Sequence, residues 1–260
     1  MWWNLVGLSM FNPRTDKLIK LGKIFPQTII ELEEIFDGNS NIYIDYANVI
    51  HWQDRLGWHI DLKRLKQFLD SFDQVKETKI YYGTLNGDQR SEEWIRAASE
   101  LRYGLKTKPV KIMNISIDAT SIQSNSPALL EHFIKKALLL KLSVETIEFL
   151  NRKLLDLNKQ GIFYIEDKKC NFDVEIGRDM LFDFGNNHTK SFILWSGDSD
   201  FADPVIQLLN DGKKVFLFAT ARRVSVELAN SGVPIFDIKK IREFICWPRE
   251  IPQGIQDKIK

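Results

Sequence analysis

Three short strings carry acids placed where they could do chemistry. Ile44-Asp45-Tyr46-Ala47-Asn48 sets a carboxylate, and three residues on an amide, at the end of an apolar run. Ser196-Gly197-Asp198-Ser199-Asp200-Phe201 sets two carboxylates after another apolar run, with a glycine that permits close backbone approach. Between them, Asn171-Phe172-Asp173-Val174-Glu175-Ile176-Gly177-Arg178-Asp179-Met180 opens a helical pattern. Asp173 shares its inward stripe with apolar Ile176, Met180 and Phe184. An Asp on such a stripe is costly unless something compensates it. Carboxylates that converge without a neutralising Lys or Arg repel one another. The usual remedy is a hard divalent cation, which takes oxygen ligands and can activate water and stabilise an in-line phosphoryl transition state. Zinc is disfavoured, because none of the four histidines is paired at ligand spacing.

Each acid alone also has a plainer reading. Asp200 fits a helix cap, with Asp203 and Pro204 following. Asp45 and Asp198 fit turns after strands. Asp173 fits a helix N-terminus, where the dipole favours an acid. Asp179, beside Arg178 in mid-helix, fits a solvated face. The joint reading is stronger, since the acids recur at the ends of the right elements.

Those elements alternate along the chain. Strand-like runs are predicted at Asn41–Tyr46, Lys79–Leu85, Pro109–Ile115, Ser191–Trp195, Lys214–Phe218 and Pro234–Asp237. Helical patterns are predicted at Leu62–Phe72, Glu92–Tyr103, about 127–141, 143–160, 173–184, 203–211, 223–230 and 238–246. Strands alternating with helices predict a mostly parallel sheet covered on both faces, and in such sheets ligands bind at the carboxyl ends of the strands. Residues 1–40 read as an N-terminal extension with one helical stretch over 28–36, about 116–165 as a helical insertion, and 247–260 as a disordered tail.

Composition bounds the rest. The chain has 260 residues, and 36 Lys+Arg against 35 Asp+Glu leave a net charge of +1, so polyanion binding needs a local basic cluster. Two cysteines cannot form a disulfide framework or a Cys-rich metal site, which predicts a cytoplasmic protein. The apolar start, Met1 to Phe11, is too short to span a membrane and lacks the basic region and cleavage site of a signal peptide.

Taken together, the I-D-x-x-N, D-x5-D and SGDSDF strings resemble the NYN domain, the PIN-like nuclease group that includes the LabA-like (DUF88) proteins. The resemblance covers about residues 41–246. It implies a Rossmann-like three-layer α/β fold and a metal-dependent endoribonuclease acting on RNA. Mg²⁺ or Mn²⁺ would be held by Asp45, Asp173, Asp198 and Asp200, with Asn48 orienting a ligand or water and Asp179 as an outer member. Where the family often has a lysine three residues before the helix acid, this chain has Cys170, with Lys168 and Lys169 just upstream.

Rival readings are weaker. A HAD-like phosphohydrolase needs D-x-D after the first strand, and here Ala47 follows Asp45 at that spacing. There is no G-x-x-x-x-G-K-[ST], G-x-G-x-x-G or G-x-S-x-G string. A catalytically silent RNA- or protein-binding module stays open, although no acid of the set is missing. Among the basic residues, Arg222 and Arg223 follow a strand and are expected at the acid-bearing edge, in reach of a phosphate; Lys168 and Lys169 come next. Trp52, Trp58 and His59 are candidates to stack on unpaired bases, with core packing as the alternative. The apolar helical faces of residues 1–40 and 116–165 suit capping the sheet, pairing two copies as a homodimer, or binding a partner.

Overall fold

The structure is a computed structural model that describes residues 10–85, 87–186, 188–220 and 224–260. In chain order its helices are α1 (Asp16–Ile24), α2 (Pro26–Ile35), α3 (Tyr46–Leu56), α4 (Leu62–Leu69), α5 (Gln89–Glu100), α6 (Lys136–Leu139), α7 (Val144–Lys159), α8 (Asp173–Gly185), α9 (Ala202–Asn210), α10 (Val226–Asn230), α11 (Arg242–Ile245) and α12 (Gln253–Ile259). The strands are β1 (Ser40–Asp45), β2 (Val75–Thr84), β3 (Gly104–Pro109), β4 (Lys111–Ser116), β5 (Tyr164–Lys169), β6 (Ser191–Trp195), β7 (Lys214–Ala219) and β8 (Ile235–Asp237).

Six strands form one sheet in the order β3-β2-β1-β6-β7-β8, and every neighbouring pair is parallel. The fold is therefore a three-layer α/β fold with helices flanking the sheet. β1 and β6 are wholly buried, as apolar central strands between two helix layers must be. From β1 the chain steps outward through β2 and β3, and from β6 outward the other way through β7 and β8. The crevice between the carboxyl ends of β1 and β6 is thus the point where strand order reverses, which is where open α/β sheets bind ligands.

Side chains alternate across β1. Ile42 and Ile44 join a core with Val49, Trp52, Leu65 and Phe68 from α3 and α4. Asn41, Tyr43 and Asp45 point to the opposite face, where α8 lies and supplies Asp183 to Asn41 and Tyr43. α3 was not expected from the sequence. It starts straight after Asp45 and ends at Gly57, whose φ of 69° supplies the left-handed cap.

The region over 110–170 forms a second compact unit. It holds β4 and β5 as an antiparallel pair and a small core of Leu130, Leu139 and Ile147 under α7. The strand expected over Pro109–Ile115 is β4 of this unit. The edge strand of the main sheet is instead β3, whose Gly-Leu-Lys-Thr-Lys-Pro has one apolar side chain and gave no strand signal. The helix expected over 127–141 is mostly turns, with a 3₁₀ turn and the short α6.

Two expectations at the ends change. α1 and α2 bury Leu18, Leu21, Ile29, Leu32 and Ile35 in the same core as the sheet. The tail is not disordered: α12 follows Pro252, and Ile251 and Ile259 are buried in that core too. Among the described residues no helix is long and apolar enough to cross a membrane.

Candidate metal and phosphate site

Ile44 pairs with Trp195, so Asp45 and Ser196 emerge side by side from the two central strands. Asp45 is buried. Asn48, one turn into α3, donates through Nδ2 to Asp45 Oδ2 (2.5 Å) and to Ser196 Oγ (3.0 Å). Ser196 Oγ in turn donates to Asp45 Oδ2 (3.3 Å). Burial raises the Asp45 pKa, the Asn48 and Ser196 hydrogen bonds oppose the rise, and the nearby Asp198 charge adds to it. Ser196 is fully buried, and sequence reasoning assigned it no role of its own within the Ser-Gly-Asp string.

Asp198 sits where β6 gives way to a short 3₁₀ turn, and its carboxylate accepts from Asp200 N (3.4 Å) and Ser199 Oγ (3.4 Å). The cap of this turn is therefore Asp198, which leaves the Asp200 side chain exposed. Asp173 is the first residue of α8, and its backbone N donates to Asn171 Oδ1 (2.8 Å). Its carboxyl is pushed up to about 7, first by partial burial, then by a hydrogen bond with Asp200 and the charges of Asp198 and Asp200, against an Asn171 hydrogen bond. The pKa shifts thus link Asp45 to Asp198, and Asp198 and Asp200 to Asp173, at one crevice.

Asp179 is placed differently. It is buried, accepts from Tyr81 Oη (2.9 Å), and pairs with Arg178 (3.2 Å). One turn on, Asp183 Oδ2 accepts from Asn41 Nδ2 (2.9 Å), Tyr43 Oη (2.5 Å) and Lys79 Nζ (2.7 Å). Asp183 was not singled out from the sequence. Its signal was the Asp179–Asp183 spacing, which puts two acids on one helix face. These bonds clamp α8 to β1 and β2 and so set where its first residue, Asp173, arrives.

Of the remaining candidates, Arg222 and Arg223 lie outside the described residues. Lys168 and Lys169 are exposed on β5 of the second unit, and Lys169 pairs with Asp167 (3.5 Å). Trp52 and Trp58 are core residues, 5% and 3% exposed, and have no free face for a base. His59 stacks on Trp247 (4.5 Å between centroids) and bonds Glu250 through Nδ1 (2.8 Å).

The acid cluster fits a hard divalent ion in kind. Its donors are all carboxylate oxygens, and among the described residues no Lys, Arg or His forms an ion pair with Asp45, Asp173, Asp198 or Asp200. Nor are any three His, Cys, Asp or Glu of the described residues drawn together tightly enough to hold a metal. Among the described residues the donor chemistry is present, and the closed ligand arrangement is not.

The NYN domain family model matches residues 136–235. That span includes Asp173, Asp179, Asp198 and Asp200 and stops short of β1 with Asp45 and Asn48. No curated protein matches the chain. Among solved structures, it is similar to a Vibrio parahaemolyticus protein of unknown function, at 16% identity and a TM-score of 0.47, over 80% of this chain and 95% of that one.

Proposed function

We propose that this chain is a metal-dependent endoribonuclease of the NYN, PIN-like kind, akin to the LabA-like (DUF88) proteins, acting on RNA in the cytoplasm. The observation that carries the reading is the crevice itself. At the strand-order switch, Asp173 is pushed up to about 7, first by partial burial and then by the neighbouring Asp200 and Asp198 carboxylates, and none of the ion pairs among the described residues involves Asp45, Asp173, Asp198 or Asp200. The NYN match over 136–235 supports the same chemistry.

In this reading Asp45, Asp173, Asp198 and Asp200 hold Mg²⁺ or Mn²⁺. Such an ion supplies Lewis-acid stabilisation of a phosphorane-like transition state and lowers the pKa of water. Asn48 fixes the Asp45 carboxylate and ties it to Ser196, so that β1 and β6 present their acids together. The Asp173 and Asp200 carboxyls stand close enough to interact, and a bound cation would offset their mutual repulsion. Asp179 supports the site through Tyr81. Arg222 and Arg223 neutralise substrate phosphate, with Lys168 and Lys169 as further contacts.

The test is cleavage of labelled single-stranded and structured RNA, with labelled DNA alongside, in Mn²⁺, Mg²⁺ or EDTA. Metal-dependent internal cleavage of RNA is expected. One observation favours the silent-module alternative: among the described residues, no three His, Cys, Asp or Glu are grouped closely enough to hold an ion. RNA binding without cleavage in any metal would establish that alternative.

A further inference from the structure

A cation stands at the first turn of α8, beside Asp173, on the β3 side. Lys108 is on β3, paired with Gly83 of β2, two residues beyond Tyr81, the partner of Asp45. The alternation of side chains puts Lys108 on the sheet face that carries Asp45 and meets α8. Gly83 contributes no side chain between them. Lys108 Nζ lies 2.8 and 2.9 Å from the two Glu175 oxygens and 4.6 Å from the centroid of the buried Phe172 ring. Phe172 and Glu175 flank Asp173 in the first turn of α8. The ammonium is thus fixed by the same helix end that delivers Asp173. Both members of the ion pair are about one third exposed, at 34% and 31%, so the pair is open to exchange with a solute anion.

We propose that Lys108 binds a backbone phosphate of the RNA adjoining the scissile one, and that Glu175 holds the ammonium in place until that phosphate displaces it. The assignment rests on the nuclease reading above. An ammonium is a compact charge suited to phosphate, and its contact adds affinity without base preference. The strand would then run from the β1–β6 crevice across the ends of β2 and β3.

The test is binding of a fluorescently labelled single-stranded RNA in Mg²⁺ at a series of KCl concentrations. The Asp198→Asn protein is used, so that the probe stays intact, with and without Lys108→Gln. Lys108→Gln is expected to weaken binding several-fold and to reduce the slope of log K against log salt by about 0.7, the share of one phosphate on a single strand. Lys108→Arg should restore both. Glu175→Gln should strengthen binding, and that gain should shrink when Lys108→Gln is also present. Unchanged affinity and slope in a folded Lys108→Gln protein would overturn the assignment and leave the nuclease reading standing. So would a Glu175→Gln gain that is absent, or that is equal with and without Lys108. If the Lys108-intact protein and wild type both fail to bind the RNA, the nuclease reading falls and this assignment with it.

Discussion

Asp173 is the residue whose chemistry depends most on its neighbours. A carboxyl raised to about 7 in the folded chain binds more protons than it does unfolded, where its ordinary value is 3.8. It therefore favours folding below about pH 4, and that contribution is lost as pH rises towards 7. Asp173→Asn removes the charge. In metal-free buffer the variant should be more stable than wild type at pH 7–8, with a melting temperature higher by about 2–4 °C for each kcal/mol relieved. The gap should shrink towards pH 4. Thermal melts across that range check it, and a gap that grows as pH falls would contradict the assigned electrostatics. Mg²⁺ or Mn²⁺ should close the gap at pH 7–8 by stabilising wild type alone, since an ion that binds only the folded state shifts the equilibrium towards it.

At the scale of elements, the decisive contact is between α8 and the sheet. Asp183 takes three donors on one oxygen, and Lys79 is almost wholly buried beneath it. Removing Asp183 leaves the buried Lys79 with only the longer, more exposed pair to Glu77 (3.4 Å). Asp183→Ala should therefore cost about 3–5 kcal/mol, against about 1 kcal/mol for Tyr43→Phe, which deletes one hydrogen bond. Denaturant titration separates the two, and equal losses would show that the pair does not anchor the helix. This clamp was not legible in the sequence. Lys79 and Tyr43 lie in apolar runs where alternation reads as strand, and their partner is more than a hundred residues away. The central strands were legible, because Asn41–Tyr46 and Ser191–Trp195 are short runs rich in β-formers, and the acids at their ends followed from the strand positions. β3 was not, since an edge strand with two lysines, a threonine and a glycine carries no apolar pattern. α3 carries a weak helical signal, because its tyrosine, valine and isoleucine favour strands and no side chain caps its start.

At the scale of the whole chain, the segment after Trp247 is structural. Local composition marked the last residues as a loose tail, because Pro252 and scattered charges hide two isoleucines that pack far from their sequence neighbours. Truncation after Trp247 removes Ile251 and Ile259 from the core. Each buried isoleucine lost costs about 2–5 kcal/mol, so the truncated protein should unfold at clearly lower denaturant, whatever happens to activity. An unchanged midpoint would show that the last helix is dispensable. The separate unit over 110–170 takes Pro109–Ile115 out of the single alternation read from the sequence: β4 and β5 pair with each other and leave the six-stranded sheet to the flanking segments. The central claim spans all three scales, because the sheet topology, the α8 clamp and the individual carboxylates must act together to hold a cation against RNA. Its most direct test is the rate of RNA cleavage in Mn²⁺ by Asp198→Asn beside wild type, with circular dichroism confirming the fold of both. The account predicts metal-dependent cleavage by wild type and a loss of at least about a hundredfold in the variant, the scale of removing one group that stabilises transition-state charge; a folded Asp198→Asn that cleaves at the wild-type rate would contradict it.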